Sequence, residues 1–489
     1  MTKDPNIICV PESATIKDAM ASIHESGIRV ALIVNDDKKL VGVITDGDIR
    51  EGLLLKGKTF DSPVAEIMNK NPTTATKDTP ASILLETMLE KSIYEIPILN
   101  EDGIVTDIIL LSELKQIPLA KQDITAKEVE AINEVLNSPY LSIGPKAEEF
   151  EAAVAKYVGV KHAVAVNSGT SGLHLLVRAF DIKDGDEVIT TPFSFIASAN
   201  AALFERAKPI FVDIDEKTLC IDPAEIEEKI TPRTKAILPV HAFGYPADMD
   251  AISEIAKKHN LVVIEDAAEA LGSAYKGRKA GSLGDGAIFG FYPNKQITTG
   301  EGGMVLTDNE EVAKLCRSMR NQGREEGGGW FNAVRLGYNY RMHELSAALG
   351  VVQMSRIDEM LQRRMNVANL YTTHLKSIED VITPYLGPDT KMSWFVYVIR
   401  LNPEKFSRKE RGEIIKRLGE HGISSREYFS SIHLQPLYVQ MFGYKEGDFP
   451  ITERVANSTI ALPFHNNLTE AEIKYVSDTL KSALEEIKG

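Results

Sequence analysis

Cysteine, basic charge and long apolar runs are scarce in this sequence, and each shortage excludes a class of protein. The three cysteines, Cys9, Cys220 and Cys316, lack the close spacing of a metal site and the even number of a disulfide framework. The formal charge is −15, whereas proteins that bind phosphate backbones carry a basic face. No run of about 18 apolar residues offers a membrane-spanning helix. We therefore expect no metal centre, no nucleic-acid partner and no membrane insertion.

The overall composition is that of an ordinary folded protein. Apolar residues make up 43% of the 489 positions and charged residues 26%, so the chain should fold throughout into two or three domains. The opening, MTKDPNIICVPESAT, lacks the basic region and the apolar core of a signal peptide. We expect a cytoplasmic protein.

The first hundred residues contain an internal repeat. A shift of 65 positions aligns ALIVNDDKKLVGVITDGDI with IPILNEDGIVTDIILLSEL and matches Asn35 to Asn100. Self-similarity of this kind indicates a duplicated structural unit. Each copy predicts a helix, a strand, an acidic turn, a second strand and another helix.

This repeat resembles a tandem pair of CBS domains, an α+β module, over residues 1–118. CBS pairs bind adenine nucleotides, and the family pattern implies that Thr45 and Asp48 of the first copy contact the nucleotide. The second copy has Leu110 and Glu113 at these positions, which favours one site over two. Two alternatives stay open: Thr45 and Asp48 cap the following helix, or the pair serves only packing and dimerisation.

Beyond the repeat, residues 119–375 alternate short apolar strands with helical stretches, which predicts an α/β domain with a mainly parallel sheet. The predicted strands lie in HAVAV, EVITT, PIFVDID, AILPV and LVVIED. Residues 376–489 would form a smaller terminal α/β domain, in which a strand is predicted in KMSWFVYVIRL and a helix in SRKERGEIIKRLGEHGI.

Two motifs of the large domain place polar groups at strand ends. In AVNSGTSGLHLL, a strand leads through Gly169, Thr170 and Ser171 into a helix, whose N-terminus suits a phosphate. In LVVIEDAAEA, a buried strand ends at Asp266, where a carboxylate needs a cationic or hydrogen-bonding partner. The alternative in both places is an ordinary helix cap.

Two further motifs supply an aromatic ring and an amine. Phe195 follows the strand in TTPFSFIAS, where it can stack on a flat ligand or simply pack in the core. Lys295 follows the apolar run GAIFGF in a glycine-rich turn. An amine for a Schiff base, a carboxylate for a pyridine nitrogen, an aromatic face and a phosphate cradle together describe a site for pyridoxal 5′-phosphate.

The same stretches resemble the DegT and StrS family of sugar aminotransferases, which have the fold-type I architecture. The matching motifs are EDAAEALGS, NKQITTGEGG, PVHAFGYPADMD, LGYNYRMHELSAALG and YFSSIHLQPLY, in family order. The resemblance implies a mainly parallel seven-stranded sheet with a small C-terminal α/β domain, preceded by the CBS pair. It covers residues 121–489, nearly the whole remaining chain.

The resemblance also implies roles for single residues. Lys295 would bind the cofactor aldehyde as the catalytic amine, and Asp266 would pair with the pyridine nitrogen. Phe195 would stack on the ring. Further cofactor contacts are implied for a set that holds the phosphate or lies at the ring: Gly169, Thr170, Ser171, Glu269, Asn339 and Arg341.

Asn339 of the GYNYRM motif reaches the neighbouring subunit's phosphate in this family, so the resemblance implies a homodimer or a higher homo-oligomer. A helix-start network within one chain is the alternative. Two positions depart from the family pattern. Gly290 replaces a common phosphate-binding Ser or Thr, and Glu269 stands where many members have Gln or His.

The implied reaction is the transfer of an amino group from L-glutamate to a nucleotide-linked keto sugar, such as a 4-keto-6-deoxyhexose. Tyr428 and His433 are candidate sugar-binding residues, with core or capping roles as the alternative. The fusion suggests that an adenine nucleotide regulates the enzyme. Two other functions remain open: an adenine-nucleotide sensor with an inactive transferase body, and an aminotransferase for a free cyclitol or ketone.

Overall fold

The computed structural model describes residues 3–114, 116–325, 327 and 331–488. The chain folds into two compact units. One comprises Met1–Ile117 with Glu420–Ile423, and the other comprises Pro118–Gly419 with Ser424–Gly489. The domain boundaries at residues 118 and 375 remain proposals.

The first copy of the repeat folds as a small sheet with helices around it. Its elements are α1 (Pro5–Ile8), β1 (Cys9–Pro11), α2 (Ile16–Ser26), β2 (Val30–Val34), β3 (Leu40–Thr45) and α3 (Asp46–Leu55). The strand order is β1-β2-β3, with β1 parallel and β3 antiparallel to β2.

The second copy repeats this arrangement in a shorter form. Its elements are α4 (Ala81–Lys91), β4 (Glu95–Leu99), β5 (Val105–Leu110) and α5 (Leu111–Leu114). The Asn35 side-chain oxygen accepts N–H bonds from the residues two and four positions later, at 3.1 and 2.9 Å, and Asn100 does the same at 3.1 and 2.9 Å. The duplication is therefore visible in single hydrogen bonds. Ile28 and Leu32 of the first copy share an apolar cluster with Ile108 of the second.

The second unit is built from alternating strands and helices. Its strands are β6 (His162–Val166), β7 (Glu187–Thr190), β8 (Lys208–Phe211), β9 (Thr234–Ile237), β10 (Val262–Asp266), β11 (Ala274–Tyr275), β12 (Arg278–Lys279), β13 (Gly286–Gly290), β14 (Gly303–Thr307), β15 (Val381–Ile382), β16 (Thr390–Lys391), β17 (Tyr397–Leu401) and β18 (Thr459–Leu462). Its helices are α6 (Ala126–Leu136), α7 (Pro145–Val158), α8 (Gly169–Ala179), α9 (Ala197–Phe204), α10 (Met249–His259), α11 (Glu310–Arg320), α12 (Glu344–Ser355), α13 (Ile357–Leu375), α14 (Arg408–Glu420), α15 (Pro436–Phe442), α16 (Pro450–Ser458) and α17 (Glu470–Lys488).

Seven strands form the central sheet in the order β6-β14-β13-β10-β9-β7-β8. Strand β14 runs antiparallel to both its neighbours, and the other pairs are parallel. The mainly parallel seven-stranded sheet expected from the sequence is therefore confirmed. Because carboxyl ends of parallel strands meet at one edge, this topology brings the ends of β7, β10 and β13 together.

Helices cover both faces of this sheet, and the alternation of side chains along each strand decides which residue meets which layer. On one face, Leu176 of α8 belongs to a cluster with Ile288 and Val305. On the other, Phe150 of α7 belongs to a cluster with Phe289 and its neighbours. Burial on both faces explains why these strands are continuous apolar runs in the sequence.

A three-stranded sheet, β15-β17-β18, and helix α14 follow the large sheet in the chain. The strand predicted in KMSWFVYVIRL is confirmed from Tyr397 onward. Lys391 ends the short strand β16, and residues 392–396 form a loop. The buried Arg364 guanidinium holds this loop by donating hydrogen bonds to the carbonyl oxygens of Trp394 and Phe395. Within the described residues, no helix is long and apolar enough to cross a membrane.

Candidate active site

A cavity of about 1120 Å³ opens where the ends of β7, β10 and β13 face the segment 425–430. A polar and apolar cavity of this size at the carboxyl edge of an α/β sheet is a typical ligand site. It brings together seven of the predicted site residues: Gly169, Thr170, Phe195, Asp266, Glu269, Lys295 and Tyr428.

Lys295 lies in the turn that follows β13. Its backbone N–H donates to the Tyr292 carbonyl oxygen at 3.0 Å, which closes the turn and directs the side chain into the cavity. The amine Nζ lies 3.3 Å from Glu269 Oε1 and 4.0 Å from the centre of the Phe395 ring. A single amine is thus held at the cavity wall between a carboxylate and an aromatic face.

Asp266 is the last residue of β10 and is buried. Its Oδ2 accepts a hydrogen bond from Ser198 Oγ at 2.6 Å, and its Oδ1 accepts one from the Ala268 N–H at 3.2 Å. These bonds hold a carboxylate that faces the cavity. The bond from the Ala268 N–H also forms a local turn of the kind expected if Asp266 capped a helix. The sequence does not point to Ser198, because a single serine on a helix forms no recognisable motif with an aspartate 68 positions away.

Glu269 is buried beside the amine. Its Oε2 accepts the Phe243 N–H at 2.9 Å, which fixes the carboxyl group toward Lys295. Burial raises the pKa of Glu269, and the nearby Asp266 raises it further, whereas the Lys295 ammonium lowers it. With Glu269 in place of the Gln or His of many family members, an acidic group lies in direct contact with the Lys295 amine.

The predicted phosphate cradle begins helix α8. Ser168 caps this helix by accepting the Ser171 N–H at 3.1 Å, and the hydroxyl of Ser171 donates to Asn167 Oδ1 at 2.6 Å. Gly169 and Thr170 line the cavity, but Ser171 does not, since its side chain is engaged within the turn. The first turn of α8 still presents backbone amides to an anion.

Phe195 and Gly290 form other parts of the wall. The Phe195 ring is 63% exposed although it lines the cavity, so this residue does not pack in the core. At Gly290 an added Cβ would meet the Ala268 Cβ at 3.4 Å and the Lys295 Cε at 3.8 Å. A side chain at position 290 would thus make ordinary contacts with Ala268 and Lys295, and Phe195 offers an exposed ring face to the cavity.

Asn339 and Arg341 lie outside this cavity of their own chain. The Asn339 carbonyl oxygen accepts from Asn167 Nδ2 at 3.4 Å, and Arg341 donates to Asn321 Oδ1 at 3.0 Å. The Arg341 Nε is buried without a hydrogen-bond partner among the described residues. Their contact with a neighbouring subunit's cofactor stays a prediction.

The two candidate sugar-binding residues separate in the structure. Tyr428 lines the cavity, and its Oη accepts a hydrogen bond from Asn294 Nδ2 at 3.3 Å. Burial, together with the negative charge of Glu269, raises the pKa of Tyr428 to about 12. His433 is fully buried outside the cavity and pairs with Glu453 at 2.9 Å, which favours the core role that was its alternative.

In the first unit, Thr45 and Asp48 form a capping box at the start of α3. The Thr45 N–H and Oγ1 donate to Asp48 Oδ2 at 2.8 and 2.7 Å, and the Asp48 N–H donates to Thr45 Oγ1 at 3.2 Å. The capping alternative therefore describes their contacts here. Nucleotide binding by the same side chains stays a prediction.

The residues of the cavity fit pyridoxal 5′-phosphate. The Lys295 amine, the buried and hydrogen-bonded carboxylate of Asp266, the exposed face of Phe195 and the helix start at Gly169 all line one space. Within the described residues, no group of three or more His, Cys, Asp or Glu side chains is arranged to hold a metal ion.

Comparisons with known proteins identify the family of the chain. Residues 122–481 match the DegT/DnrJ/EryC1/StrS aminotransferase family, and residues 1–55 and 64–118 each match the CBS domain. GDP-perosamine synthase of Caulobacter vibrioides is 42% identical over 377 residues, covering 76% of this chain and 100% of that protein.

Solved structures show the same similarity. PseC of Helicobacter pylori, an aminotransferase involved in the biosynthesis of pseudoaminic acid, superposes with a TM-score of 0.73 and 30% identity, covering 76% of this chain and 100% of that chain. The PLP-form of the putative sugar aminotransferase Spr1654 of Streptococcus pneumoniae gives a TM-score of 0.73 and 29% identity, with 76% and 100% covered. The chain thus belongs to the DegT/DnrJ/EryC1/StrS aminotransferase family, as a fold-type I enzyme that depends on pyridoxal phosphate and carries a pair of CBS domains.

Proposed function

We propose that the protein transfers the amino group of L-glutamate to a nucleotide-linked keto sugar, such as a 4-keto-6-deoxyhexose, and so makes an amino sugar for a surface polysaccharide or glycan. One observation carries this proposal. The cavity that contains Lys295 and Asp266 continues along Arg411, Ile415 and Arg426, and so leaves room beyond a cofactor for a large substrate.

The reaction needs proton transfers at fixed positions, and the cavity residues are arranged for them. When bound, pyridoxal phosphate supplies an electron sink that makes the proton on the amino-bearing carbon removable. Lys295 takes and returns that proton as the general base and acid. Asp266, held by Ser198, would stabilise a positive charge on the ring nitrogen of the bound cofactor, and Phe195 would offer a face for its ring.

The wall of the cavity formed by Arg411 and residues 425–430 suits a nucleoside diphosphate. Arg426 is exposed there and lies beside Tyr428, and Arg411 pairs with Glu427 at 2.6 Å. The Arg426 guanidinium at the rim would attract a diphosphate. The Glu427 carboxylate and the Tyr428 phenol could form hydrogen bonds to a sugar. The names of two similar proteins, GDP-perosamine synthase and PseC, support a sugar substrate of this class.

Three further proposals concern the whole enzyme. An adenine nucleotide bound near Thr45 and Asp48 alters the transferase rate. Asn339, with Arg341, completes the active site of a second copy, so that the enzyme works as a homodimer or a higher homo-oligomer. We also propose a cytoplasmic location, in keeping with three free cysteines.

The visible absorption spectrum of the purified protein tests the core of this proposal. The protein should show the band of lysine-bound cofactor, lose it on addition of L-glutamate, and regain it when a suitable keto sugar nucleotide is added. Lys295→Ala should lack the lysine-bound band. A protein that stays colourless after incubation with pyridoxal phosphate would overturn the proposal, and a response only to nucleotide-free ketones would redirect it to a free cyclitol or ketone.

A further inference from the structure

The aromatic side chain that contacts the reactive amine is one that the sequence did not single out. Phe395 follows Trp394 in the loop before β17, and its ring centre lies 4.0 Å from Lys295 Nζ. Phe195, the ring predicted to face the cofactor, is 63% exposed, whereas Phe395 is 1% exposed. The two rings of the cavity therefore differ in environment, and the buried one lies over the amine.

The position of Phe395 is set by several backbone bonds. Its N–H donates to the Phe243 carbonyl oxygen at 3.3 Å, and its own carbonyl oxygen accepts from Arg364 at 2.8 Å. Arg364 is buried and also donates to the Trp394 carbonyl oxygen at 2.7 Å and to Asn466 Oδ1 at 3.1 Å. The Phe395 ring is therefore positioned through hydrogen bonds of its backbone.

The segment that holds Phe395 is also bonded to Glu269, the other residue in contact with the amine. Phe243, whose carbonyl oxygen holds Phe395, donates its N–H to Glu269 Oε2 at 2.9 Å. Phe243, in the short 3-10 helix Ala242–Gly244, thus fixes two groups near Lys295 Nζ, the Glu269 carboxyl group at 3.3 Å and the Phe395 ring at 4.0 Å. The amine is flanked on two sides by groups that stabilise a positive charge.

We infer that Phe395 is a positioning residue for Lys295: when the lysine is not joined to the cofactor and carries the proton it has taken up, the ring face of Phe395 holds its ammonium form in place. In a transaminase the lysine is displaced from the cofactor once per catalytic cycle, and it must stay within reach of the reacting carbon until it rejoins the cofactor. A cation–π contact holds it without a covalent bond and releases it when the amine loses its proton. This inference rests on the proposed role of Lys295.

Other charged or titratable groups line the same cavity or the space behind the lysine, and their effects have to be separated from that of the ring. They are Asp266, Glu269, Tyr292, Glu301, Arg411, Arg426, Glu427 and Tyr428 in the cavity, with Lys121, Asp123 and Arg364 behind the lysine. A substitution that alters only the ring face leaves all of them in place.

The test follows the rate at which the cofactor-free full-length protein captures added pyridoxal phosphate, measured by visible absorbance across a pH series. Only the neutral amine attacks the aldehyde, so the rate rises with pH. Phe395→Leu removes the ring face and should move the midpoint of this rise to lower pH by about half a unit to one unit. Phe395→Tyr keeps the face and should retain the wild-type midpoint.

The matched control is Phe193→Leu. Phe193 is also fully buried and packs against Phe243, at 5.8 Å between ring centres, but it has no described contact with Lys295. Its replacement should leave the midpoint unchanged. A shift as large as that of Phe395→Leu would mean that loosening of the core explains both results.

Pentafluorophenylalanine at position 395 keeps the shape of the ring while removing the negative potential of its face, so it decides the matter even if Phe395→Leu does not fold. A midpoint that moves with fluorination supports the inference, and an unchanged midpoint overturns it. Lys295→Ala separates the two proposals. If that variant captures the cofactor as the wild type does, the role of Lys295 itself is wrong.

Discussion

At the residue scale, the most informative position is Glu269. The carboxyl group is buried, touches Lys295 and accepts the Phe243 N–H. Burial raises its pKa above the ordinary value for glutamate, so the folded protein holds a proton that the unfolded chain has already released. In the pH range between those two values, stability falls as pH rises.

Glu269→Gln keeps the shape of the side chain and removes this titration. Relative to the wild type, the variant should therefore become more stable as pH rises above the ordinary pKa of a glutamate, and the melting temperature of its transferase unit should rise relative to that of the wild type. Melting curves across that pH range measure the difference. The exposed Glu148→Gln serves as the control, and a difference between Glu269→Gln and wild type that does not change with pH contradicts the prediction.

At the scale of the element, the start of α2 provides an internal reference for the start of α3. Thr15 and Asp18 form a capping box at 2.9, 2.7 and 3.3 Å, and Thr45 and Asp48 form one at 2.8, 2.7 and 3.2 Å. The two caps have the same local geometry, yet only the second pair matches the nucleotide-binding pattern of CBS domains. The two roles of Thr45 and Asp48 can therefore be separated.

Thr45→Ala with Asp48→Ala, and Thr15→Ala with Asp18→Ala, should each lower the stability of the first unit by about 1 to 2 kcal/mol, because each removes one cap. Only the Thr45 and Asp48 pair should abolish binding of AMP, ADP or ATP, together with any change these nucleotides cause in the transferase rate. Calorimetry and steady-state kinetics measure both effects. Equal loss of binding in the two double variants would show that the cap acts through the fold alone, and unchanged kinetics despite binding would remove the regulatory proposal.

At the scale of the whole molecule, the cavity of one chain contains Lys295 and Asp266 but not Asn339. If Asn339 reaches the cofactor of a second copy, each active site of a homodimer takes residues from both chains. Lys295→Ala and Asn339→Ala would then damage different halves of the same site. Such variants can complement each other.

Co-expression of Lys295→Ala chains with Asn339→Ala chains should give mixed dimers with one intact site, since the native Lys295 and the native Asn339 then meet in one of the two sites. Activity should recover to about half the wild-type value per mixed dimer, while each variant alone is impaired. Differently tagged chains allow the mixed dimer to be purified and assayed. Activity no higher than that of the Asn339→Ala homodimer would place both residues in one chain.

The sequence predicted those site residues that belong to a local sequence pattern. Strand ends, helix starts and the 65-position repeat are local patterns. The sequence alone therefore predicts Lys295, Asp266, Gly169 and Thr170 as site residues, and the structure brings these four into one cavity. Contacts between residues far apart in the chain produce no recognisable sequence pattern. Ser198 supports Asp266 from 68 positions away, and Phe395 meets Lys295 from another part of the chain.

The sequence by itself determined the succession of elements, the duplication at the front and the residue types of the cofactor site, since periodicity and strand-end chemistry are set by neighbours in the chain. Only the tertiary structure decided between alternative roles of a residue that its neighbours in the sequence do not distinguish. It exposed the ring of Phe195, buried His433 against Glu453, and turned Glu269 toward the amine, because burial and charge depend on which distant segments pack around a side chain.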